Sequence, residues 1–86
     1  MAATSGRFKN DLVRLGERAR VARVAAGLTQ QQVADALEMH RVTFNRFEAG
    51  ENDLPSSKLL ALAEVLRVNP SALFDEPTAD LRGSDS

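Results

Sequence analysis

Residues 29–50, TQQQVADALEMHRVTFNRFEAG, decide how this chain folds. Two short helices joined by a tight turn account for the pattern. Thr29 is a hydroxyl residue placed to cap a helix N-terminus, and Gln32 follows three residues later in capping-box register. Val33, Ala34 and Leu37 recur at i, i+1 and i+4, a narrow apolar stripe on a helix from about Gln30 to Leu37. Glu38-Met39-His40 interrupts that stripe. A second stripe passes through Phe44 and Phe47 and stops at Gly50, which predicts a helix from about Arg41 to Ala49. Around its two aromatics this second helix points polar side chains outward: Arg41, Thr43, Asn45 and Arg46.

A short helix whose polar face is set by a preceding helix is the arrangement used to enter a DNA major groove. The stretch resembles the helix-turn-helix of the phage-repressor and Cro family, also called XRE-type regulators. The matching residues are Gly27-Leu28-Thr29-Gln30, Val33-Ala34, Leu37, Met39, Thr43, Phe44, Arg46, Phe47, Glu48 and Gly50, and the spacing from Gly27 to Gly50 carries no insertion. The resemblance continues through Leu66, Val68 and Leu73-Phe74 and covers most of the chain. It implies an all-α, compact five-helix lambda-repressor-like DNA-binding domain, with helix 2, the turn and helix 3 as the helix-turn-helix. It also implies a bacterial or phage origin.

By resemblance, Arg41, Val42 and Arg46 occupy base-reading positions, with Thr43 beside them. The residue types suit that task. Arg donates two hydrogen bonds to the major-groove edge of guanine, and the methyl groups of Val42 and Thr43 suit thymine. Gln30 matches a phosphate-binding Gln of the family, at a helix N-terminus that also favours an anion. Thr29, His40, Asn45 and Asn52 join it as expected backbone contacts, Asn45 being placed where either a base or the backbone is in reach. The resemblance also pairs Arg23 with Glu48, an ion pair pinning the first helix to the third, which makes Glu48 structural. The alternative for the outward face of the reading helix is a solvated polar surface with no ligand.

The chain departs from the family in three places. Members carry Gly where Glu38 stands, so either Glu38 tolerates a positive φ or the turn differs. His40 replaces the usual Ser cap of helix 3, and it is either a poorer cap or a residue that touches a phosphate or base edge. The loop after Gly50 is acidic at Glu51 and Asp53 where members carry Lys or Arg, leaving Asn52 as a neutral donor.

Outward from this core, residues 1–8 read as a flexible lead-in. Asn10 or Asp11 caps a first helix to about Ala26, with Leu12, Leu15, Ala19, Ala22 and Ala26 on one stripe. Gly27 is its C-cap. Pro55 opens a fourth helix, Ser56 to about Arg67, which buries Leu59, Leu62, Ala63 and Leu66. Leu60 and Val65 lie off that stripe. Asn69-Pro70 starts a short fifth helix over Ser71–Phe74. The domain spans 9–76, and 77–86, poor in apolar residues, reads as a disordered tail. No repeat or strand pattern is present.

Eighty-six residues make one small domain. With no Cys and one His, no disulfide, thiol nucleophile or multi-ligand metal site is expected, and no cofactor. No apolar run spans a membrane and no signal peptide opens the chain, so a cytoplasmic protein is expected. Net charge is −1, but residues 1–50 hold eight Lys/Arg against five Asp/Glu, and 51–86 hold three against seven. A basic half carrying the reading helix suits nucleic acid. No nucleophile–base constellation is present, and Ser56-Ser57 read as capping residues, so catalysis is rejected.

One such domain reads few base pairs, so a homodimer on a palindromic operator of double-stranded DNA is expected, acting in transcription as a repressor. Leu60, Val65, Leu73 and Phe74 are the candidates for its interface, the alternative for Phe74 being ordinary packing onto the core. Two rivals stand beside this reading. One is an antitoxin whose tail, Pro77–Ser86, binds a toxin, and controller proteins of restriction–modification systems are similarly small. The other is a protein-interaction module that keeps the fold without binding DNA.

Overall fold

A computed structural model describes residues 2–74. Four α-helices follow one another: α1 (Ala2–Ala25), α2 (Gln30–Ala36), α3 (Arg41–Glu48) and α4 (Ser56–Leu66). A single 3₁₀ turn, Pro70–Leu73, stands where the fifth helix was expected. Asn69 caps the start of that turn, its Oδ1 accepting from the Ser71 backbone N–H at 3.1 Å and from the Ser71 hydroxyl at 3.0 Å. α1 begins well before the expected cap at Asn10 or Asp11 and runs through most of the stretch read as a lead-in. The tail expected over 77–86 lies outside the described residues.

Local chemistry sets the helix ends. Thr29 Oγ1 accepts from the Gln32 backbone N–H at 3.0 Å, and Gln32 Oε1 accepts from the Thr29 N–H at 2.8 Å, so the capping box is complete. All four α-helices stop in the same way, with a left-handed residue whose N–H bonds three residues back while the next N–H bonds five residues back. At α1 these bonds are Gly27 to Val24 and Leu28 to Arg23; at α3 they are Gly50 to Phe47 and Glu51 to Arg46. At α2 and α4 the left-handed residue is not glycine but Glu38 (φ 57°) and Arg67 (φ 60°). The turn after α2 thus keeps the geometry of the family and places the strain on Glu38. Leu28, Met39 and Val68, each just past such a stop, fold back against the core.

Two glycines set how α1 meets α3. A Cβ on Gly16 would lie 2.4 Å from the Phe47 carbonyl oxygen and 2.6 Å from that of Glu48. A Cβ on Gly50 (φ +80°) would lie 2.8 Å from the Val13 Cα. Backbone therefore rests on backbone. Around this seat the core gathers Leu15, Ala19, Val33, Ala34, Leu37, Phe44, Phe47, Leu54, Leu62, Ala63, Leu66 and Leu73. The Phe44 and Phe47 rings pack tilted, centroids 5.9 Å apart.

Several expectations about burial change. Leu12, Ala22 and Leu59 are only half-buried, and Ala26 is exposed because α1 ends one residue before it. Val65 is half-buried against the core. Leu73 is a core residue, 1% exposed, because the 3₁₀ turn points it inward between α1 and α4; it is not available to a dimer interface. Among the described residues no helix is long and apolar enough to cross a membrane.

Candidate nucleic-acid interface

α3 divides sharply between two faces. Phe44, Phe47 and Glu48 are buried; Arg41, Val42, Thr43, Asn45 and Arg46 are exposed. The first face anchors the helix, and the second holds every residue expected to read bases. Val42, 53% exposed, has no packing role to explain it. No salt bridge among the described residues engages Arg41 or Arg46, so both guanidinium groups remain available. The helix N-terminus at His40 has extended backbone, but the imidazole makes no capping bond there, and its side chain is exposed.

A buried ion pair holds this helix to α1. Arg23 Nε lies 2.7 Å from Glu48 Oε2, and a second guanidinium nitrogen donates to Oε1 at 3.1 Å. The pair is bidentate, and its side chains are only 13% and 3% exposed. The remaining guanidinium nitrogen donates to the Leu28 carbonyl at 2.9 Å, tying the α1–α2 turn to the same cluster. All three guanidinium nitrogens of Arg23 are therefore engaged, as a charge out of water requires.

The network reaches further than the sequence indicated. Gln30 Nε2 donates to Glu48 Oε1 at 2.8 Å, and Asn45 Nδ2 donates to Gln30 Oε1 at 3.2 Å. The Gln30 amide, expected to face phosphate, thus also braces α2 on α3. Thr29 and Asn45 are exposed beside it, and Asn52 is half-buried in the loop after α3. Lys58 carried no signal in the sequence: its ammonium, from α4, donates to the Leu37 carbonyl at 2.6 Å and caps the end of α2. No local pattern marks it, because the two residues are 21 apart. Of the remaining interface candidates, Leu60 and Phe74 are 58% and 56% exposed. Phe74 and Leu73 border a shallow groove that α1 and the start of α4 complete.

Residues 14–76 match the family model described as a helix-turn-helix domain. The chain belongs to the helix-turn-helix family. Two solved structures share its architecture. One is the restriction-modification controller protein C.AhdI from Aeromonas hydrophila, 34% identical, with a TM-score of 0.72, covering 76% of this chain and 98% of that one. The other is the hypothetical transcription factor NHTF from Neisseria, 24% identical, with a TM-score of 0.73, covering 86% of each chain; at that identity it speaks for the fold alone. No curated protein matches the sequence. The resemblance to XRE-type regulators carried by Gly27 to Gly50 holds, and this helix-turn-helix protein is of the DNA-binding, transcription-regulating kind.

Proposed function

We propose that this helix-turn-helix protein binds operator DNA as a homodimer and represses transcription, with α3 in the major groove. The observation that carries the reading is the division of α3: a braced inner face, and an outer face of Arg41, Val42, Thr43 and Arg46. Arg41 and Arg46 donate to guanine edges, and Val42 and Thr43 meet thymine methyls. Thr29, Gln30, His40 and Asn52 flank that face and contact the sugar–phosphate backbone. Two copies on half-sites one helical turn apart supply the length of sequence that one domain lacks. Leu60 and Phe74 are the exposed apolar side chains offered to the second copy, with Val65 at the margin. The likeness to a restriction-modification controller protein favours a narrower version, in which the operator controls restriction–modification genes.

The test is selection of bound sequences from random duplex DNA, by the wild type and by Arg46→Ala. A palindromic consensus that the variant relaxes at one position per half-site supports a dimeric, base-reading regulator. Its affinity falls steeply as salt rises, because phosphate contacts release counterions. If no sequence is enriched at moderate salt, the reading fails and a protein partner becomes the better account of the fold.

A further inference from the structure

We infer that Asn45 reads adenine in the major groove, and that Arg23 and Gln30 act as positioning residues which fix the polarity of its amide. The inference rests on the proposed DNA-binding reading and gives Asn45, placed where either a base or the backbone is in reach, a base to read.

The relay begins at the buried end. Arg23 can only donate hydrogen bonds, and the Glu48 carboxylate that receives two of them can only accept. Whatever else approaches Glu48 must therefore bring a donor. Gln30 does so with its amide nitrogen, 2.8 Å from Oε1, and this turns the Gln30 carbonyl oxygen away from Glu48. That oxygen is met by Asn45, which must in turn use its nitrogen, at 3.2 Å. Oxygen and nitrogen of an amide are alike in shape, but this chain leaves neither amide a choice. A rotation of Gln30 would set its oxygen against the carboxylate, and a rotation of Asn45 would set two oxygens together.

The outer end of the relay is thus of fixed type. Asn45 is exposed and presents its Oδ1 as an acceptor, with the second Nδ2 hydrogen beside it as a donor. Adenine offers the complement in the major groove, an N6 donor next to an N7 acceptor. Guanine offers two acceptors there, and its O6 opposes Oδ1. A phosphate, all acceptor, likewise finds an oxygen facing it. Asn45 lies one helical turn after Arg41, three residues after Val42 and next to Arg46, on the same outward stripe as those three. Its neighbour Gln30 is half-buried, and the bond from Gln30 to Glu48 is sheltered while the bond from Asn45 to Gln30 is exposed.

The test compares wild type, Asn45→Ala and Gln30→Ala in the same selection, followed by affinity measurements on the selected site. The wild type is expected to place adenine at one position per half-site. Asn45→Ala is expected to equalise the four bases there, leaving the other positions and the salt dependence unchanged. Replacing that adenine with 7-deazaadenine, which lacks the N7 acceptor, weakens wild-type binding about tenfold and Asn45→Ala less than about twofold. Gln30→Ala frees the amide to rotate and narrows the preference for adenine over guanine at that position alone. If Asn45→Ala weakens all sequences alike and flattens the salt dependence, Asn45 is a backbone contact and the inference is overturned. An Asn45→Ala consensus identical to that of the wild type overturns it as well. A wild type that enriches nothing brings down the DNA-binding reading itself and this inference with it. Asn45 is exposed, so thermal melts of its variant are expected to match the wild type and exclude misfolding.

Discussion

Gly16 lies directly on the carbonyl oxygen of Phe47: a methyl group added at Gly16 would stand 2.4 Å from it. Propensity and packing disagree at this position. In a helix interior Ala is favoured over Gly by ~1 kcal/mol, so Gly16→Ala reads from the sequence as stabilising. The neighbouring atoms are backbone and cannot swing aside, and forced overpacking of this kind costs ~1–3 kcal/mol or more. The expected outcome is a net loss of stability, read as a lower denaturation midpoint in urea. A variant that melts at or above the wild type would show that α1 does not rest on α3 as described.

A second prediction concerns the Arg23–Glu48 pair. Its partners are 13% and 3% exposed, so removing one strands the other out of water. Glu48→Ala is expected to lose ~3–5 kcal/mol, a large share of what a small domain possesses. Arg23→Met combined with Glu48→Leu should recover most of that, because an apolar pair of similar volume leaves no charge behind. Urea denaturation of the single and double variants separates the cases. A single-variant loss below ~1 kcal/mol would mean that the pair is screened like one on the surface.

Glu38 and Arg67 occupy conformations that Gly27 and Gly50 adopt freely. A left-handed residue with a side chain carries ~1–2 kcal/mol of strain, and glycine returns part of the relief as extra freedom in the unfolded chain. Glu38→Gly and Arg67→Gly are each expected to add ~0.5–1 kcal/mol, and to add independently because they end different helices. A calorimetric melt checks both. Unchanged or lowered melting temperatures would mean that the side chains contribute interactions that outweigh the strain.

Lys58 holds the C-terminal end of α2 from a distance, its ammonium 2.6 Å from the Leu37 carbonyl. Lys58→Met keeps the methylene chain and removes the donor, so the loss isolates the hydrogen bond. About 1.5–3 kcal/mol is expected for a charged donor to a part-buried carbonyl. Hydrogen exchange at the last amides of α2 is the sharper measurement: they should open sooner, and equal protection would assign the capping to solvent.

What could be read from the sequence was local. The Thr29–Gln32 capping box, the Gly27 and Gly50 stops and the Asn69-Pro70 start each depend on residues within a few positions of one another, and each formed as expected. Resemblance supplied Arg23–Glu48, which no spacing within a helix could suggest across 25 residues. The left-handed Arg67 carried no signal, since an arginine near a helix end normally means only a favourable dipole contact. Gly16 carried no signal either, because its reason lies in another helix. Leu73 was misplaced because four residues of 3₁₀ turn are too few for a periodicity to reveal which side faces in. The exposed face of α3 was legible as a set of residues, whereas the amide chain joining Asn45 to the interior required their positions in space.

The bare contact at Gly16 and Gly50 bears on how such a domain diversifies. At Gly16 and Gly50 neither glycine puts a side chain of its own into the contact between α1 and the end of α3, so at that seat there is no cushion whose resizing would tilt or lift the outer helix. Its pitch and depth are a fixed mount. On the proposed DNA-binding reading, new vocabulary is acquired by exchanging the residues at 41, 42, 43, 45 and 46, which the mount does not touch. The same independence makes 41, 42, 43 and 46 a cassette that can be exchanged without rebuilding what lies beneath, whereas 45, hydrogen-bonded to Gln30, changes together with its brace.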